Sequence, residues 1–147
     1  MEDFVPYEFV PFEMAKKLNE KGFTCEYPFA MYNKYEQFCP LYTSDEYFFR
    51  IDDFGKHHFI APTISQVLMW LKKKKRIFVT TNIAYCYESD EIPFPTNPNM
   101  EPILKGYYYG IWELDNLNDK YGHSEYFESP ELAALAGISY IIDNNLI

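Results

Sequence analysis

The sequence has no apolar run approaching the roughly 20 residues that a membrane-spanning helix requires. It opens Met1-Glu2-Asp3, with acids where a secretory leader would carry positive charge. A cytoplasmic location is therefore expected, with no membrane partner. Cysteine is scarce: Cys25, Cys39 and Cys86 contain no C-x-x-C pair and leave at least one thiol unpaired, which fits a reducing compartment rather than a disulfide scaffold. A Gly-rich phosphate loop, a G-x-S-x-G elbow and an H-E-x-x-H helix are all missing, so nucleotide binding, serine hydrolysis and zinc proteolysis have no local signature. No cofactor and no bound metal are expected. Linker composition, internal repeats and low-complexity tracts are also lacking, and residues 1–147 are expected to form a single domain.

Positive charge is missing from one half of the chain. Residues 1–76 carry 11 acids and 11 bases, whereas residues 77–147 carry 11 acids against Lys105 and Lys120 alone, so the whole net charge of −9 belongs to the second half. Such a field repels phosphate backbones and attracts basic partners, and it also serves solubility. The one basic cluster, Lys72 to Arg76, ends an amphipathic segment. Complementarity to the helix dipole accounts for it there, so no nucleic-acid partner is expected.

What the sequence has in excess is rings: 14 Tyr, 13 Phe and 2 Trp among 147 residues. This argues strongly against disorder and favours strands alongside helices. Tyr85, Tyr87, Tyr107, Tyr108, Tyr109 and Trp112 form a possible aromatic platform, which strand alternation divides between two faces, one for packing and one for recognition.

The elements follow from period and punctuation. Val5, Tyr7 and Phe9 alternate as an arm or edge strand limited by Pro6. Pro11 opens a helix with an apolar stripe of Met14, Ala15 and Leu18, which Gly22 ends and over which Phe23 folds back. Extended segments are expected at 29–32 and 47–51, the latter joined through Asp52, Asp53 and Gly55 to 57–60 as a hairpin. Thr63 and Gln66 match a capping box ahead of Ile64, Val67, Leu68 and Leu71 at helical spacing. A strand follows from Ile77, then a proline-rich acidic loop over 88–102, then a second strand over 107–114 pairing antiparallel with the first, with a bulge at Gly110. Residues 115–128 read as a solvated acidic loop. Ser129-Pro130-Glu131 caps a closing helix with Leu132, Leu135, Ile138 and Ile142 on one face. The fold class is α+β, three helices packed on a mostly antiparallel sheet of four or five short strands.

Other chemistry is weaker. His57 and His58 are adjacent and would point to opposite faces of a strand, which disfavours one shared ion. Asp115, Asn118, Asp119, Glu125 and Glu128 offer oxygen donors but not the calcium-loop order. Acidic pairs such as Glu88 with Glu91 could move protons only if desolvated.

At K-K-L-N-E-K-G-F (16–23), A-P-T-I-S-Q-V-L-M-W-L (61–71) and S-P-E-L-A-A-L-A-G-I (129–138) the chain resembles small uncharacterised proteins of gut Bacteroidales, their phages and mobile elements. The resemblance implies an opening helix, a mid-chain helix feeding a strand and a closing helix. It brings no activity, and it implies a host protein as the target. Two functional expectations follow. The first is a non-enzymatic accessory protein that binds a protein partner through its acidic C-terminal half, using Glu88, Asp90, Glu91, Tyr107 and Tyr109. The alternative is a small enzyme or small-ligand binder, with an aromatic pocket and converging acids or histidines.

Overall fold

The computed structural model describes residues 8–41, 58–87, 99–122 and 125–147, with 116–122 as backbone only. Among these described residues the fold is α+β, with three α-helices, and the strands form two antiparallel sheets of three strands each. This corrects the expectation of one sheet of four or five strands: the short strands of the first half pair among themselves. The chain divides into two compact units, residues 1–75 with 141–147, and residues 76–140.

In the first unit, β1 (Ala30–Tyr32) lies between β2 (Phe38–Pro40) and β3 (Phe59–Ile60), antiparallel to both. All three residues of β1 are buried, as a central strand covered on both faces requires. Pro40, which has no amide to donate, stands on the edge strand. The β1–β2 turn is made by Asn33, whose Oδ1 accepts the amides of Tyr35 (2.8 Å) and Gln37 (3.0 Å), while Glu36 takes φ 66°. The expected N-terminal arm is present as a bridge from Phe9 to Thr63. Its Val5 and Tyr7, and the expected hairpin of 47–51 with 57–60 apart from its last three residues, lie outside the described residues.

α1 (Phe12–Glu20) ends as its sequence directs. Gly22, at φ 88°, donates to the Asn19 carbonyl (3.1 Å), and Phe23 donates to the Leu18 carbonyl (2.9 Å). This is a Schellman motif closed by the burial of Leu18 and Phe23. α2 (Ile64–Trp70) begins with the full capping box, the Thr63 hydroxyl accepting from the Gln66 amide (3.1 Å) and the Gln66 side chain accepting from the Thr63 amide (3.0 Å). Its buried face is Ile64, Val67, Trp70 and Leu71, with Trp70 in the place expected for Leu68. The helix then widens into a π turn over Leu71–Lys75. The last turn of α3 (Pro130–Asp143) repeats the Schellman ending with an asparagine: Asn145 at φ 52° donates to Ile142 (3.2 Å), and Leu146 donates to Ile141 (3.0 Å).

Rings build the centre of this unit. Tyr32, with no exposed surface, meets Phe12 edge-on at 5.4 Å and both Phe38 and Phe59 at 5.9 Å, while Phe9 lies 4.8 Å from Phe38. Offset and edge-on ring pairs of this kind each contribute about 0.5–1.5 kcal/mol beyond area burial. The Tyr32 hydroxyl donates to the Val10 carbonyl at 2.7 Å.

In the second unit, β4 (Ile77–Tyr87) pairs antiparallel with β5 (Pro102–Glu113), which pairs in turn with β6 (Asn116–Gly122). β6 corrects the reading of 115–128 as a loop. A tight turn at Leu114 and Asp115 sends the chain back along β5, and the Arg76 guanidinium donates to the Asp115 carboxylate at 3.1 Å. That exposed pair adds little stability. α3 (Pro130–Asp143) starts as expected, with the Ser129 hydroxyl accepting the Leu132 amide at 3.2 Å. Its buried residues are Ala133, Ala134, Gly137, Ile138, Ile141 and Ile142, so Ile138 and Ile142 of the expected face are buried while Leu132 and Leu135 are not. A Cβ on Gly137 would sit 3.0 Å from Val79 Cγ1 and 3.3 Å from the Tyr109 ring, so helix and sheet approach closely along small residues.

Replacing Tyr32 by Phe removes the donor to Val10 and leaves a buried carbonyl unsatisfied. Urea unfolding should show a loss of about 1–3 kcal/mol with an unchanged slope. Burial pushes the Tyr32 hydroxyl up to about 12, from about 10 in an unfolded chain. The folded state thus favours the protonated form: the associated stability is complete below the unfolded value and lost as pH rises through the folded one. Wild-type protein should lose stability over that alkaline window faster than Tyr32→Phe.

Candidate functional site

β4 and β5 run side by side from Ile77 opposite Glu113 to Tyr87 opposite Pro102. Near the start, Ile77 and Val79 are buried, and α3 covers this end of the ladder through Gly137. Towards the other end the same face of β4 emerges, because residues two apart share a side: Ile83 is 57% exposed and Tyr85 51%. Directly paired residues of an antiparallel ladder also share a side. Tyr107 therefore stands beside Ile83, and Leu104, 58% exposed, stands beside Tyr85. Tyr87 continues the row, its ring edge-on to that of Tyr85 at 5.9 Å.

Leu104 reaches this face through a bulge. Ala84 pairs with Gly106 and Tyr85 with Leu104, so Lys105 is the extra residue. In an unbroken ladder Lys105 would stand opposite Tyr85. The bulge turns the lysine out of register and installs an apolar side chain in its place. Gly106 makes this possible. Its φ is 142°, and a Cβ there would lie 2.8 Å from the Phe127 carbonyl oxygen and 3.0 Å from Tyr126 Cβ. Phe127 in turn exchanges backbone hydrogen bonds with Tyr107, at 2.9 and 2.7 Å. The bulge thus sits at Lys105, correcting the expectation of one at Gly110. Gly110 is instead a point of close approach, where a Cβ would meet Thr80 Oγ1 at 2.9 Å.

Of the expected partner-binding residues, Glu88, Asp90 and Glu91 lie outside the described residues. Tyr107 is half-buried on the face just outlined. Tyr109 is 3% exposed, its ring 6.3 Å from those of Phe127 and Tyr140. Burial pushes its hydroxyl up, with Tyr140 and Glu125 adding to the effect. Tyr109 is therefore a core residue that offers no surface to a partner, a correction that follows from its standing opposite Thr81 under α3 rather than at the ladder's open end. Ile83 and Leu104, which sequence reasoning did not single out, are more exposed than either tyrosine. The available signal was the run of apolar residues on both strands, but the bulge that aligns them was misplaced.

Among the described residues, no group of three or more His, Cys, Asp or Glu side chains is placed to hold a metal ion, and no helix is long and apolar enough to cross a membrane. His57 and His123 lie outside the described residues. No protein-family model, curated protein or solved structure matches the chain.

Gly106→Ala should destabilise the protein by more than about 1 kcal/mol, because the new Cβ meets backbone rather than a side chain that can move. An unchanged denaturation midpoint would show that the bulge does not depend on this glycine.

Proposed function

We propose that the protein is a non-enzymatic accessory protein that binds a basic protein partner through the open end of the β4–β5 ladder. The observation that carries this reading is the row of Ile83, Tyr85 and Leu104, three large apolar side chains each more than half exposed on one face. Exposed apolar residues scattered singly are ordinary, but a contiguous row supplies the desolvated centre that interfaces are built around. Tyrosine adds large contact area at low entropic cost.

The surroundings select the partner's charge. Glu88, Asp90 and Glu91 follow directly on Tyr87 in the chain, and Glu101 directly precedes Pro102. An apolar row whose two strands both lead into acids favours a partner that places lysine or arginine around an apolar contact. The sequence resemblance to proteins of phages and mobile elements supports a host protein as that partner, met in the cytoplasm.

Capture from a host lysate tests the reading. Tyr85→Ala with Leu104→Ser should reduce specific capture at least about tenfold, as expected for loss of an interface centre, while leaving stability within about 0.5 kcal/mol because both sites are exposed. Neutralising Glu88, Asp90 and Glu91 to amides should weaken capture less and flatten its dependence on salt. Captured proteins indifferent to both sets of substitutions would refute the proposal.

A further inference from the structure

In the first unit, a groove of about 650 Å³ runs between residues 24–29 and the α2 helix with its π turn, within the roughly 300–1,000 Å³ typical of small-molecule sites. One stripe of the helix forms its length: Gln66, then Met69 and Trp70, then Lys73 and Lys74. Tyr27 and Phe29 form the opposite wall and are both largely exposed. That wall is fixed to the helix, because Gln66 Nε2 donates to the Tyr27 carbonyl at 3.0 Å while Gln66 Oε1 holds the Thr63 amide at 3.0 Å. Trp70 is pinned between the Phe23 ring, edge-on at 5.4 Å, and the Lys75 ammonium 5.3 Å from its centroid. The groove is therefore built in advance of any occupant, which lowers the ordering cost of binding.

Its charge is asymmetric. Lys73 and Lys74 line the groove, and neither takes part in an ion pair among the described residues. Among the described residues, the one carboxylate in the lining is Glu26. Two ammonium groups beside rings and a thioether match a ligand with a flat apolar body and a negative head. The body stacks on aromatic faces and the Met69 sulfur, and the head takes charge-assisted hydrogen bonds from the lysines. We infer that this groove is a binding site for a small aromatic carboxylate, separate from the β4–β5 face.

The chain has two tryptophans, so Trp112→Phe leaves Trp70 as the one indole reporter. Titration of that variant with 2-naphthoate should change Trp70 emission saturably. Lys73→Ala with Lys74→Ala should raise Kd about fivefold or more, consistent with two exposed charge contacts, and Glu26→Gln should lower it. Uncharged 2-naphthylmethanol should bind as weakly to the starting protein as naphthoate does to the double-lysine variant. Tyr27→Ala, at an exposed position, should weaken both ligands. Cys25 gives a readout that does not depend on fluorescence. It lines the groove, and burial pushes its thiol up against the lowering effect of the Tyr27 backbone. Naphthoate should slow alkylation of Cys25 and leave that of Cys39, outside the groove, unchanged. A linear emission change without saturation, affinity indifferent to the lysines and to the head group, or equal protection of both cysteines would overturn the assignment.

Discussion

The Tyr32 hydroxyl, wholly buried among rings, donates its proton to the Val10 carbonyl. That bond shows the constraint under which the whole molecule is built. Aromatic side chains bury much area but offer few partners to backbone amides and carbonyls, and among the described residues none of the buried side chains is charged or of the strongly polar kind. Every chain segment that enters the interior must therefore satisfy its backbone locally or in a ladder. The capping box at Thr63, the Schellman endings at Gly22 and Asn145 and the Asn33 turn are four local solutions. The two antiparallel sheets are the ladder solution. Where a strand runs beyond the elements that cover it, as β4 and β5 do, its backbone stays paired while its side chains meet solvent, and an exposed apolar row results.

The same reasoning explains which parts of the fold were legible. Helix ends are written in consecutive residues, so Gly22-Phe23, Thr63-x-x-Gln66 and Ser129-Pro130 each gave the correct boundary or cap. The pairing of β4 with β5 was legible too, because they are near each other in the sequence and both are dense in β-formers. Which strands share a sheet depends on distant partners, and the short segments around Ala30, Phe38 and Phe59 carry too little pattern to show that they form a sheet of their own. β6 was hidden by its composition: Asn116, Asn118 and Asp119 read as loop, and the ladder formed by β5 overrides that local preference.

The candidate site was less legible than the fold. Tyrosine content pointed to the right strands, yet Tyr107 and Tyr109, chosen for their side chains, proved half-buried and buried. On α3 the expected face was half right: Ile138 and Ile142 are buried, but in place of Leu132 and Leu135 the close approach to the sheet selects Ala133, Ala134 and Gly137. In both places steric fit decided burial, and hydrophobicity alone did not.

The extra residue at Lys105 carries an evolutionary corollary. Loss of that one codon would close the bulge and leave Leu104 opposite Tyr85, while the rungs from Ile77 to Ala84 kept their partners. The aliphatic rung beside Tyr85 is thus insulated from a one-residue deletion at the bulge, because the ladder on the near side holds its register whether or not the extra residue is there.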